Sequence, residues 1–208
     1  MYIRITSRCN MTCAHCCYNC TNNGEDMSLE TWGKAMEMSD GSISLGGGEP
    51  TLHPQFWQML GESIGDQYCE YVWLATNGSQ TRTAIALAGM AKAGVIGCAL
   101  SQDPWHDEID ERVVEAFTRD KREYSGYDNR TPDAREIRDV SQNVINGGRC
   151  DWGSDGCVCP DLIIEPDGTI RGCGCDDAPT FGTVYAPEIP DDWEYGECTH
   201  EQPEEEAD

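Results

Sequence analysis

Basic residues are scarce in this sequence. Lys and Arg number 14 against 38 Asp and Glu, for a formal charge of −24. A surface this acidic opposes extended, non-specific binding to nucleic acid, which needs cations set against phosphates. A locally basic groove stays open. Lysine is the rarer cation, with 3 residues against 11 arginines. That bias fits either the saline cytoplasm of a halophilic host or a GC-rich genome. Long apolar runs are missing too. None approaches the length of a membrane span, so no membrane partner is expected. Nothing near Met1-Tyr2-Ile3-Arg4 reads as a secretory signal, since it leads straight into a strand. A cytoplasmic protein is therefore expected. No Lys or Arg follows Arg171, whereas 12 Asp and Glu do. Residues 186–208 read as an acidic tail, solvated and partly disordered from Pro187 onward.

Cysteine, by contrast, is abundant. Thirteen cysteines would suggest a disulfide scaffold in a small secreted protein. Without a signal, reduced thiols that hold metal are the better reading. Five of them, Cys9, Cys13, Cys16, Cys17 and Cys20, fall in one short stretch. Cys9, Cys13 and Cys16 have the spacing C-x3-C-x2-C. Three thiolates can hold three irons of a [4Fe–4S] cube and leave the fourth open to an outside ligand. A structural zinc loop is the alternative, because Cys13/Cys16 and Cys17/Cys20 form two C-x2-C pairs.

A second stretch bears on that choice. Gly46-Gly47-Gly48-Glu49-Pro50 directly follows a strand expected over Ser42 to Leu45. Glycines let a backbone approach a ligand closely, and a carboxylate pairs with a cation. Together, the cysteine spacing and this turn resemble the radical S-adenosylmethionine (radical SAM) superfamily. The resemblance implies a catalytic [4Fe–4S] cluster on Cys9, Cys13 and Cys16, with SAM on the open iron. The reduced cluster of that family cleaves SAM to a 5′-deoxyadenosyl radical. It also implies that Gly47, Gly48 and Glu49 receive the SAM ammonium. Asn77 and Ser101 fall where family members contact the SAM ribose and methionine carboxylate. A plain turn at Asn77-Gly78 and a plain strand end at Ser101 are the alternatives. His15, at a position often aromatic in the family, is expected to border the adenine. Cys17 and Cys20 are surplus to one cluster. His53 and His106 read as ordinary polar residues on loops, and Asp103 as a cap for the helix that follows.

Strand and helix patterns alternate along the chain. Strands are expected at Tyr2 to Ile5, Ser42 to Leu45, Tyr71 to Ala75 and Val95 to Leu100. Helices are expected after Ser28, over Pro54 to Ile64, Thr81 to Ala93 and near Asp107 to Thr118. Shorter strands are expected at Glu136 to Val140 and Asn143 to Ile145. Alternation of this kind implies a parallel sheet, with ligands at the carboxyl ends of its strands. The expected fold is α/β: a partial, open (β/α)6-type radical SAM barrel with a small cysteine-containing β-hairpin extension. Residues 1–149 form the core and residues 150–185 the extension.

In that extension, Asp167-Gly168 between two apolar runs signals a hairpin. Folding about it brings Cys159 opposite the region of Cys175, and Cys173 and Cys175 share a strand face. The opening Cys157-x10-Gly168-x4-Cys173 resembles the SPASM and twitch extensions of radical SAM enzymes. That implies a second [4Fe–4S] cluster on Cys157, Cys159, Cys173 and Cys175. Zinc, or no metal, are the alternatives at these residues.

The function expected is hydrogen abstraction from a peptide or amino-acid-like group. A nucleoside, or a hypermodified DNA base in a phage-infected host, is the alternative substrate. A non-catalytic zinc or iron–sulfur protein is the alternative of another class, and it leaves the Gly-Gly-Glu-Pro turn without a purpose. An enzyme of this kind needs a reductant such as a flavodoxin or ferredoxin.

Overall fold

The strand that opens the chain, β1 (Tyr2–Thr6), runs through the middle of the sheet. Its neighbours are known from a computed structural model that describes residues 1–39, 41–119, 133–139, 147–150, 162–174, 178–191 and 193. β2 (Gly41–Gly47), β3 (Cys69–Thr76), β4 (Gly97–Ser101) and β5 (Arg135–Arg138) follow in order, each parallel to the one before. Helices α1 (Leu29–Glu37), α2 (Phe56–Gly65) and α3 (Thr81–Lys92) join the first four strands, and α4 (Glu111–Phe117) follows β4. Ile3, Ile5, Ile43, Leu45 and Leu74 are fully buried against Trp32, Phe56, Leu60, Leu87 and Phe117. This apolar layer between sheet and helices is the main stabilising term, at about 25 cal/mol per Å² buried. No helix among the described residues is long and apolar enough to cross a membrane.

Local chemistry sets the helix ends. Ser28 caps α1, its Oγ accepting the Thr31 N–H at 3.0 Å, as such a residue at this position should. Past α3, Gly94 takes a left-handed φ of +72°, which lets the chain turn back toward β4. The helix after β4 starts later than expected near Asp107. Asp110 accepts the Arg112 N–H at 3.0 Å and is its cap. Asp103 is not that cap: its Oδ1 accepts the Trp105 N–H at 2.9 Å and closes a separate turn.

The cysteine hairpin joins the same sheet. β6 (Ile163–Ile164) lies parallel to β1 on the side away from β2. β7 (Thr169–Arg171), β8 (Thr180–Thr183) and β9 (Ala186–Pro187) then add antiparallel strands. Among the described residues the sheet is open, with β5 at one edge and β9 at the other. Gly168 has φ +89° in the expected turn, and β6 and β7 pair Ile163 with Arg171 and Ile164 with Ile170. Cys157, Cys159, Cys175 and the strand expected at Asn143 to Ile145 lie outside the described residues. Arg4 of β1 pairs with Glu165 beside the turn, and Thr31 of α1 meets the Tyr185 hydroxyl at 3.0 Å. The acidic segment begins differently from the solvated tail expected after Pro187. Ile189 and Trp193 pack against the core, and the Trp193 ring meets Phe181 edge-on at 4.7 Å.

Candidate active site

Loops at the carboxyl ends of β1, β2, β3 and β4 enclose a cavity of about 300 Å³. All nine residues predicted for the catalytic and SAM site line it: Cys9, Cys13, Cys16, His15, Gly47, Gly48, Glu49, Asn77 and Ser101. Parallel pairing is the reason. It places successive strand ends at one rim, so residues distant in sequence share one wall.

The glycine turn docks the cysteine loop. The Gly48 N–H donates to Thr6 O at 3.0 Å and the Glu49 N–H to Arg8 O at 2.8 Å. A Cβ on Gly48 would lie 2.3 Å from Arg8 O and 2.8 Å from Cys9 Cβ. Only a glycine lets these two backbones approach so closely. The return of the loop is held by Asp26, which pairs with Arg8 at 2.9 Å and accepts the Thr6 hydroxyl at 2.6 Å. Arg8 also donates to Leu52 O at 2.8 Å.

Glu49 is 1% exposed, and its carboxylate is well supplied with donors. Oε1 accepts from the Thr51 N–H at 3.1 Å, the Thr51 hydroxyl, and the Thr76 hydroxyl at 2.9 Å. Oε2 accepts the Asn77 N–H at 2.6 Å. Burial pushes the carboxyl up from the usual range despite these bonds. Oε2 keeps a second lone pair for a cationic ligand. Asn77 is both a turn residue and a wall of the site. Its Oδ1 accepts the Ser79 N–H at 3.0 Å, while Nδ2 donates to Asn10 at 3.1 Å and lies 3.8 Å from Cys9 Sγ.

Cys9, Cys13 and Cys16 are free thiols on one wall. Burial pushes Cys9 up and Cys13 up to about 11. A hydrogen bond shared with Cys20 lowers Cys16 and raises Cys20. Gathered thiols in a cavity suit a cationic iron centre, which favours their thiolate form. The donor set therefore fits the cluster that the spacing implied.

Several residues of the site were not foreseen. Arg149 forks into the cysteine loop, donating to Cys13 O at 3.0 Å, Cys20 O at 2.9 Å and Asn19 Oδ1 at 3.1 Å. Its Gly147-Gly148-Arg149 triplet carries no ligand motif, and nothing in sequence links it to residues so far away. Arg138, at the end of β5, lies with Nε 3.4 Å from Ser101 Oγ and its guanidinium 5.1 Å over Trp73. His106 is not the ordinary loop residue expected. It lines the cavity, its ring centroid 5.2 Å from His15 and its Nδ1 2.9 Å from Asp103. His53 is ordinary, bonded to Met27 O at 2.9 Å and to the Gln55 N–H at 3.0 Å. Cys173 of the hairpin is buried, packed with Ala178 and with Cys17 of the catalytic loop.

Comparisons with known proteins bear on this arrangement. The model of the radical SAM superfamily matches residues 3–137. The structure of BtrN in complex with AdoMet and 2-DOIA aligns with a TM-score of 0.61 at 18% identity, covering 88% of this chain and 77% of that one. Histidine-tagged anSMEcpe with bound AdoMet aligns with a TM-score of 0.53 at 17% identity, covering 88% and 76%. Native anSMEcpe with bound AdoMet and Cp18Cys peptide aligns at 0.50 and 17% identity, with the same coverage. A search of curated proteins found no match. At these identities the structures show a shared fold. The family match spans more than half of the chain and sets aside a non-catalytic role. The chain belongs to the radical SAM superfamily, and it is an enzyme whose cofactors are SAM and a [4Fe–4S] cluster.

Proposed function

We propose that Cys9, Cys13 and Cys16 hold the cluster and that Gly47, Gly48, Glu49, Asn77 and Ser101 hold SAM beside it. One observation carries this reading: residues from four separate strand ends line a single cavity of about 300 Å³. A cluster held by these cysteines and reduced by a flavodoxin- or ferredoxin-type donor would supply the electron for reductive cleavage of SAM. The chain's own residues bind and orient. Glu49 Oε2 offers its free lone pair to the SAM ammonium. Arg138 is half-buried beside Ser101 and forms no ion pair with a carboxylate among the described residues. Its guanidinium suits the methionine carboxylate, for which a planar fork is the best partner. His15 borders the adenine.

The substrate class supported best is a peptide or amino-acid-like group. A structure that shares the fold holds a peptide, and the cysteine hairpin continues the sheet at β1. Cys157, Cys159, Cys173 and Cys175 then hold a second [4Fe–4S] cluster, or zinc in its place. About eight irons per chain support the cluster, while about four irons with one zinc support the alternative. The SAM site is tested by electron paramagnetic resonance (EPR) of the reduced, reconstituted protein. SAM should perturb the [4Fe–4S]⁺ signal in the unaltered protein. It should perturb it far less in Glu49→Ala. An unperturbed signal in the unaltered protein would refute SAM binding at the cluster.

A further inference from the structure

Three metal-ligating side chains meet beside the cysteine wall. His15 Nε2 lies 3.7 Å from Asp103 Oδ2, and His106 Nδ1 lies 2.9 Å from Asp103 Oδ1. One ligand atom from each residue lies within 4.8 Å of the others. The side chains are 8%, 0% and 11% exposed for His15, Asp103 and His106. Two separate segments supply them, the cysteine loop and the turn after β4.

Burial makes their unmet polar atoms informative. His15 Nδ1, Asp103 Oδ2 and His106 Nδ1 have no hydrogen-bond partner among the described residues. A buried polar atom left unpaired is unfavourable, and more so if it is charged. The His106–Asp103 approach at 2.9 Å is close, yet the nitrogen makes no aligned hydrogen bond there. Donor atoms that share one first-row ion at ~2.1 Å sit roughly 3.0–3.4 Å apart. The 2.9 Å between His106 Nδ1 and Asp103 Oδ1 lies close to that range, and the 3.7 Å between His15 Nε2 and Asp103 Oδ2 lies just above it.

We propose that His15, Asp103 and His106 bind a divalent first-row transition cation such as Mn²⁺, Fe²⁺ or Zn²⁺. Two imidazoles with one carboxylate suit these ions and leave coordination positions open. Asp103 and His106 also line a second cavity of about 270 Å³, which the carboxylates of Asp107 and Glu108 make acidic. His15 and His106 line the SAM cavity as well. The ion would thus lie between the two, where it can take an oxygen or amine donor from a substrate. An amino-acid-like group offers both. The metal itself does not depend on the SAM reading, and its test contains no SAM.

Cluster-loaded, SAM-free protein is titrated anaerobically with Mn²⁺ alone, and the free ion is followed by its six-line EPR signal. One equivalent per chain should be taken up. His106→Ala and Asp103→Asn should each weaken that uptake about tenfold or more. Pulsed EPR of the ion bound to the unaltered protein should show nitrogen couplings from ligated imidazole, a readout that needs no variant. Equal uptake by all three proteins, or bound Mn²⁺ without nitrogen coupling, would mean diffuse binding to the acidic surface and overturn the proposal.

Discussion

The Asn77 backbone N–H donates to Glu49 Oε2 at 2.6 Å, and this bond joins the ends of β2 and β3 that face the cysteine loop. Thr76 adds a second link to the same carboxylate at 2.9 Å. The acidic residue of the glycine turn is therefore a brace within the protein as well as a candidate ligand for SAM.

Glu49→Ala should consequently do more than weaken SAM binding. It leaves the N–H groups of Thr51 and Asn77 without their acceptor, at a cost of about 2–4 kcal/mol. Asn77 abuts Cys9, so iron retention should fall as well. Denaturant unfolding together with iron analysis checks this. Unchanged stability with full iron would show that the brace is dispensable.

Gly48→Ala should impair iron loading, because its Cβ would lie 2.3 Å from the Arg8 carbonyl and force the cysteine loop away. Gly61→Ala is the contrasting change. Nothing lies within 4 Å of its added Cβ inside α2, so stability should rise by about 0.5–1 kcal/mol. Iron content and urea midpoints of the two variants separate close approach from helix propensity.

Arg149→Ala should speed iron loss to a chelator under anaerobic conditions. It removes the donors to Cys13 O and Cys20 O that order the loop. Arg149→Lys should rescue only in part, since an ammonium cannot span several acceptors as a fork does. A chelation rate equal to that of the unaltered protein would remove Arg149 from the site.

Asp133 and Arg135 provide a pH test of stability. Arg135 grips the Asp133 carboxylate at 2.9 and 2.7 Å and holds it below the usual range. A depressed acid stabilises the fold above its unfolded value, ~3.9, and that contribution is lost as pH falls through the lower folded value. Asp133→Asn should therefore cost about 1–3 kcal/mol at neutral pH. The difference should shrink below pH ~4. A difference that persists in acid would show that charge is not its source.

Much of this was legible in the sequence, and the remainder has identifiable causes. Leu74 and Leu100 sit in short apolar runs, and Ile3 and Ile43 in short segments where apolar and polar residues alternate, so four parallel strands could be placed from pattern alone. Once they pair, Cys9, Glu49, Asn77 and Ser101 must share a rim. β8 and β9 were not legible, because Thr-Phe-Gly-Thr and Ala-Pro are too short to show alternation. The acidic count after Arg171 hid Ile189 and Trp193, two apolar residues that find partners only in the folded sheet. Arg138, Arg149 and the Asp103–His106 contact depend on tertiary proximity. No local pattern announces such contacts.

The most direct measurement is 5′-deoxyadenosine formation from SAM by anaerobically reconstituted, reduced protein, compared with Cys13→Ala and Cys17→Ala. The account predicts formation by the unaltered protein and by Cys17→Ala, and none by Cys13→Ala. Full SAM cleavage by Cys13→Ala would contradict the assignment of Cys9, Cys13 and Cys16 as the catalytic cluster site.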